Sequence, residues 1–328
     1  MKKFLALLLA LVMVFALAAC GESSDEPSAD PNASASPEAT PEATENPYAD
    51  MSTEDLIAEL KTVVDGKLTI ATSPDFAPYE FYALDDAGNA TLAGFDIALG
   101  QYLADFMGLE CDIIPMDYDG VLADVGVGNV DLALAGLSPS PERMSSMDFS
   151  DLYYVGGQSF VTTKDKADLF PSLDVLKDHP EYQIGAQNGS IQQGLAEDYC
   201  DPASVVILTK VTDIVADLVA GNLDGAFIET AVANNYAVVN PELDVVLDVP
   251  YDVEGSAVGV SKGNAVLLEL VNRGIAQCID DGSMEQFVTE ANEQSLGDMY
   301  EGLLDESGHV PEAGTTVEDA NPAESPAA

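Results

Sequence analysis

The sequence predicts an α/β fold laid out as two lobes joined by a two-strand hinge. Three observations predict it. From Gly66 onward, strand-like apolar runs alternate with segments of helical periodicity, the pattern of parallel β/α units. The alternation runs through two cycles, separated by the long apolar run Val155–Thr163. After Pro250 a last strand and helix are placed to return to the first cycle, so that the chain crosses twice, near Thr162 and near Val249. Two crossing strands make a hinge that lets lobes close on a ligand. One continuous doubly wound sheet with a terminal subdomain fits the periodicity as well.

In order, Lys67–Thr72 reads as a strand and Gly94–Met107 as a helix, with Phe95, Ala98, Leu99, Tyr102, Leu103 and Phe106 on one face. Cys111–Pro115 and Asp131–Ala135 are strands on either side of a helix over Tyr118–Val127. The second cycle has a strand over Tyr182–Ala186, a helix over Ile191–Tyr199 and a strand over Val205–Leu208. Val211, Ile214, Val215, Leu218 and Val219 mark the next helix. Asp224–Ile228 and Asp244–Leu247 are strands flanking a helix over Thr230–Val239, and Ala257–Val260 and Val266–Ile279 are the closing strand and helix. These boundaries put lobe 1 at about 66–161 and 250–295 and lobe 2 at about 162–249, within a folded part spanning 51–304.

The ends read differently. Lys2 and Lys3 precede an apolar run too short and wrongly flanked for a permanent membrane span. It ends Leu17-Ala18-Ala19-Cys20-Gly21, which resembles the lipobox of bacterial lipoproteins. That resemblance implies a signal peptide over 1–20, and Cys20 as the lipidated mature N-terminus. Residues 21–50 and 305–328, acidic and rich in Pro, Ala, Ser and Glu, read as a solvated tether and tail. Without Lys2 and Lys3, 9 basic residues face 58 acidic ones, a net charge of −49. Nucleic acid and acidic surfaces are poor partners for such a chain. With only His179 and His309, a histidine triad or zinc site is improbable, and no calcium loop or other metal or cofactor motif is present. Cys111, Cys200 and Cys278, widely spaced and odd in number, read as buried thiols.

The chemistry concentrates in DLALAGLSPSPERMSSMDFSD, residues 131–151. A buried strand runs through Ala135 to Gly136, Ser138 and Ser140 follow, and then comes Arg143, one of two arginines in the chain. In α/β folds that position faces the ligand crevice, and a guanidinium beside hydroxyls and free N–H groups suits a small carboxylate. Standing alone, Arg143 reads equally as a surface residue in the first turn of a capped helix.

Five ordered stretches, LTIATSPDFAPYEF (68–81), GFDIALGQYLADFMGL (94–109), DLALAGLSPSPERMSSMDFSDLYY (131–154), IGAQNGSIQQGLA (184–196) and GNLDGAFIETAVA (221–233), together resemble the family 3 solute-binding proteins of polar amino-acid ABC importers. PMDYDGVLADVGVGNVDLALAG is most similar to glutamine-binding members. The resemblance implies a type II periplasmic-binding-protein fold and a lipid-anchored monomer outside the cell membrane. Such a protein captures a glutamine-like amino acid by lobe closure and hands it to an ABC permease, without a cofactor.

By the same resemblance, Arg143 grips the ligand α-carboxylate, with Ser138, Ala135, Gly136 and the turn at Ser190 and Ile191 around it. Glu229 stands where most relatives carry aspartate for the α-ammonium, and the longer side chain must retract by one methylene. Phe76 and Tyr118 wall the side-chain pocket, to which Gln187 and Gln192 add amides. Ser73 falls where relatives that bind glutamine or basic amino acids often have aspartate, which argues against lysine, arginine and ornithine, although Asp75 and Asp119 lie close in sequence. The competing expectation is an enzyme similar to cyclohexadienyl dehydratases, with Glu229 as the acid. A sensory domain of a receptor is a third.

Overall fold

The computed structural model describes residues 47–84, 88–252, 255–297 and 299. Cys20 and the stretches expected to be signal peptide, tether (up to 46) and tail lie outside the described residues. The described part begins earlier than the 51 expected. Tyr48 packs against the core, and Arg273 ties the segment down through Nη2 to Tyr48 O (3.0 Å) and Nη1 to Met51 O (2.8 Å). Helix α1 (Thr53–Glu59) follows, capped by the Ser52 hydroxyl, which accepts from Asp55 N at 3.1 Å.

The first lobe continues with β1 (Lys67–Thr72) and a small antiparallel sheet of β2 (Asp75–Phe76), β3 (Glu80–Leu84) and β4 (Ala90–Ala93). Then come α2 (Phe95–Met107), β5 (Glu110–Pro115), α3 (Tyr118–Val127), β6 (Leu132–Ala133), a 3-10 turn over Arg143–Ser145 and β7 (Met147–Tyr154). The second lobe holds β8 (Gln158–Thr163), α4 (Val175–Asp178), β9 (Ile184–Gln187), α5 (Ile191–Tyr199) and β10 (Val205–Leu208). It goes on through α6 (Val211–Ala220), β11 (Gly225–Glu229), α7 (Thr230–Val239) and β12 (Leu243–Val249). The chain closes with β13 (Ser256–Ser261), α8 (Ala265–Asp280) and α9 (Ser283–Gln294).

Two five-stranded sheets form the lobes, ordered β5-β1-β6-β13-β7 and β10-β9-β11-β8-β12. Within each, the β/α strands pair in parallel, while β13 with β6 and β7, and β8 with β11 and β12, pair antiparallel. The antiparallel strands are those beside the two crossings. The first crossing is Val155–Gly157, not Thr162, and β8 belongs wholly to the second sheet. At Gly156, within this crossing, a Cβ would lie 2.4 Å from Glu229 Oε1, so a side chain there would displace the Glu229 carboxylate.

Hydrophobic periodicity becomes packing as expected for amphipathic helices. Phe95, Leu99, Leu103 and Met107 of α2 are buried and join Leu267, Leu270, Val271 and Ile275 of α8 in one core. Full burial of each such side chain is worth about 1.5–3 kcal/mol. The three described cysteines are free, but Cys111 is only half-buried because β5 is the edge strand of its sheet.

Candidate functional site

The turn after β6 builds the site's cationic end. Gly136 takes a left-handed φ of 56°, and its N–H donates to Asp96 Oδ2 at 3.0 Å. A Cβ at Gly136 would lie 2.7 Å from Phe76 Cε1, so only glycine lets the aromatic ring close over the turn. The chain then doubles back so that Arg143 Nη1 donates to Ser138 O at 3.0 Å, while Arg143 N donates to Ser140 Oγ at 3.3 Å. Nη2 donates to the Tyr118 hydroxyl at 2.8 Å and, across to the second lobe, to Gly189 O at 3.3 Å. The guanidinium carbon stands 5.7 Å from the Tyr118 ring centroid. Arg143 is 9 % exposed, and among the described residues no carboxylate forms an ion pair with it. A buried guanidinium with neutral partners only is well placed to receive an anion.

Between the lobes, Arg143 faces a small cavity of about 10 Å³. From the first lobe Phe76, Tyr118, Ala135, Gly136 and Ser138 line it, and from the second Gln187, Ile191 and Gln192. Three expected residues do not. Ser190 lies in the wider outer cleft, where its hydroxyl caps α5 by accepting from Gln193 N at 3.1 Å and donates to Gln187 O at 2.7 Å. Ser73 gives its hydroxyl to Asp75 Oδ1 at 2.8 Å. Glu229 turns back on its own helix, Oε2 accepting from Val232 N at 3.0 Å as the cap of α7. It sits one strand from the cavity, paired in register with Gln158, whose Oε1 accepts from Gln192 Nε2 at 2.7 Å.

Burial shapes the acids around this cavity. Glu229 is raised to about 7 by desolvation, held down in part by the Val232 and Ala231 N–H groups and the Tyr79 hydroxyl. Asp96 is raised to about 6 by burial, against donation from Gly136 N and Tyr153. Beside it, Glu80 is pushed well above the carboxylate range by burial and by Asp96. Asp75 is raised to about 6 by burial, opposed by Val211 N, the Ser73 hydroxyl and the charge of Lys210.

Asp75 and Asp96 are the residues that sequence reasoning underrated. A signal existed for Asp96, an acid flanked by Phe95 and Ile97 at the start of an apolar helix face. Asp75 had none beyond its nearness to Ser73, because its partners Gln187 and Val211 lie in the other lobe. Asp119 instead turns outward and accepts from Asn188 Nδ2 at 3.0 Å.

The chain is similar to known proteins in sequence and fold. The arginine-binding extracellular protein ArtP of Bacillus subtilis is 28 % identical over 290 residues, 87 % of this chain and 96 % of that protein. A crystal structure of an amino acid ABC transporter substrate-binding protein, AbpA of Streptococcus pneumoniae, bound to L-arginine, superposes with a TM-score of 0.68 at 31 % identity, covering 75 % of this chain and all of that one. An ancestral amino acid-binding protein described as a precursor of cyclohexadienyl dehydratase superposes at 0.62 with 28 % identity, covering 73 % and 99 %. The fold is that of the type II periplasmic amino-acid binding proteins. The model of the bacterial extracellular solute-binding proteins, family 3, matches residues 68–291, and the chain belongs to that family.

Proposed function

We propose that this chain is the substrate-binding component of an amino-acid ABC importer, not an enzyme, and that it captures a polar amino acid by lobe closure. One observation carries the reading: a buried guanidinium without a carboxylate partner faces a cavity lined by both lobes. The ligand α-carboxylate takes that place, bound by Arg143 and by N–H groups of Ser138 and of the α5 N-terminus at Ser190 and Ile191. Phe76 and Tyr118 sandwich the ligand side chain, and Gln187 and Gln192 supply polar contacts. Glu229 takes the α-ammonium when its side chain leaves Val232, with Ser73 supporting the pocket through Asp75.

A glutamine-like ligand follows from the resemblance to glutamine-binding members and from the neutral Ser73. Arginine is the second candidate, favoured by the names of ArtP and the Streptococcus protein and by the buried Asp75 carboxylate. Lipid at Cys20 and a tether up to Pro47 hold a monomer on the outer face of the cell membrane beside its permease, raising their effective concentration. The folded domain runs to about 304, with lobes that change over at Val155–Gly157 and after Val249, and the acidic tail follows.

A thermal-shift screen against the proteinogenic amino acids and cystine tests this. At one-hundredfold excess over Kd a ligand stabilises by about 2.7 kcal/mol, which for a domain of this size raises Tm by roughly 5–10 °C. The expected result is such a rise with one polar amino acid and none in Arg143→Ala. No rise with any amino acid overturns the reading, and assays of prephenate and arogenate dehydration then test the enzyme alternative.

A further inference from the structure

Gln187 ends β9, is 4 % exposed and lines the cavity from the second lobe. Its amide has two N–H donors and one carbonyl acceptor. Nε2 donates to Asp75 Oδ2 at 3.0 Å and to Thr209 O at 3.1 Å. Both partners are oxygens with no hydrogen to give when Asp75 is ionised. Chemistry therefore fixes the amide's orientation, since the reversed amide sets oxygen against two oxygens. Asp75 is itself fixed: Oδ2 also accepts from Val211 N at 2.7 Å, the first residue of α6, and Oδ1 accepts from the Ser73 hydroxyl at 2.8 Å. With both donors used, Oε1 of Gln187 is the free valence, and it has no partner among the described residues.

We infer that Gln187 reads the ligand's side chain and admits only hydrogen-bond donors, with Asp75 as the residue that positions it. The inference rests on reading the cavity as an amino-acid site. The cavity is then polarised: a donor, Arg143, at the carboxylate end and an acceptor, Gln187 Oε1, on the wall that Asp75 braces. A side chain ending in an amide N–H, an ammonium or a guanidinium satisfies Oε1. A carboxylate of the same length faces it with another acceptor, and an alkyl chain leaves it buried and unpaired. Glutamine and arginine both qualify, while glutamate and norleucine do not.

The test is calorimetric titration of the purified full chain and its Gln187→Met and Asp75→Ala variants with glutamine, arginine, glutamate and norleucine. The wild type is expected to bind glutamine or arginine at least about tenfold more tightly than norleucine and glutamate, the cost of one unmade buried hydrogen bond. Gln187→Met should bring the donor-to-norleucine ratio to within about threefold. Asp75→Ala, which removes one of the two acceptors that orient the amide, should shrink the same ratio. If both variants weaken all ligands by a common factor, Asp75 and Gln187 form only a brace between lobes and the inference falls while the amino-acid site stands. Should none of the four bind the wild type, the inference falls, and the site reading is decided by the screen against all amino acids. Gln187→Met keeps the test decisive if Asp75→Ala fails to fold.

Discussion

A carboxyl group taken out of water stays ionised only where donors replace the water. Asp96 receives two such donors, from Gly136 N at 3.0 Å and Tyr153 OH at 2.9 Å, yet burial still raises it to about 6. Its proton is then held more tightly in the folded chain than in the unfolded one. That contribution to stability is complete below about pH 4 and disappears as the pH rises through 6. Asp75, also raised to about 6, and Glu229, raised to about 7, act in the same direction. Asp96→Asn keeps an oxygen for Gly136 and Tyr153 and removes the titration. Relative to wild type, it should therefore gain stability between pH 4.5 and 8, by an amount of order 2–3 kcal/mol at about 1.4 kcal/mol per pKa unit. Urea melts across that range check it, and a constant difference between the two proteins would show that Asp96 does not titrate there.

Elements whose signals are local were legible in the sequence. The ranges expected for β1, α3, α5, β10 and α7 match those observed, because each combines a periodic apolar run with a terminator such as Ser190 before α5 or Gly128 after α3. What escaped depends on tertiary contacts. β2 is two residues long, β7 is an edge strand whose pairing with β13 shifts register, and α9 buries only Met284 and Ala291. The site divides the same way. Arg143 stood out because arginine is rare here and follows a buried strand, whereas the Asp75 link to Val211 spans 136 residues and leaves no periodic trace. Glu229 was legible through the resemblance as an acid for the ligand, but not as a helix cap, a role decided by its rotamer. At Ser190 the two roles meet in one hydroxyl that caps α5 and also donates to Gln187 O. Ser190→Ala should cost about 1 kcal/mol of stability, or roughly 2–4 °C in Tm. A loss within error would show that the Gly189 turn holds α5 without the hydroxyl.

Across the whole molecule, charge is the dominant long-range term. Four of the described cations pair with acids: Lys67 with Glu110 and Asp112, Lys166 with Asp224, Lys262 with Asp148, and Arg273 with Glu269. Each such pair is partly exposed and therefore adds little to stability. Against them stands the mutual repulsion of a chain with 58 acidic residues and 11 basic ones, which disfavours the compact state. Salt acts on both, but repulsion reaches across the molecule and is screened first, as the Debye length falls from about 30 Å at 0.01 M to about 10 Å at 0.1 M. Tm should therefore rise with sodium chloride between 10 and 200 mM, the reverse of what a fold held by surface ion pairs would do. Ligand affinity should stay nearly constant over the same range if the ligand is a zwitterion such as glutamine, since Arg143 is enclosed. If the ligand is cationic, its association rate should fall with salt, because the chain's negative field steers it. Stopped-flow and melting curves at the two salt concentrations separate these cases. A Tm that falls with salt would mean that the few ion pairs outweigh the net charge.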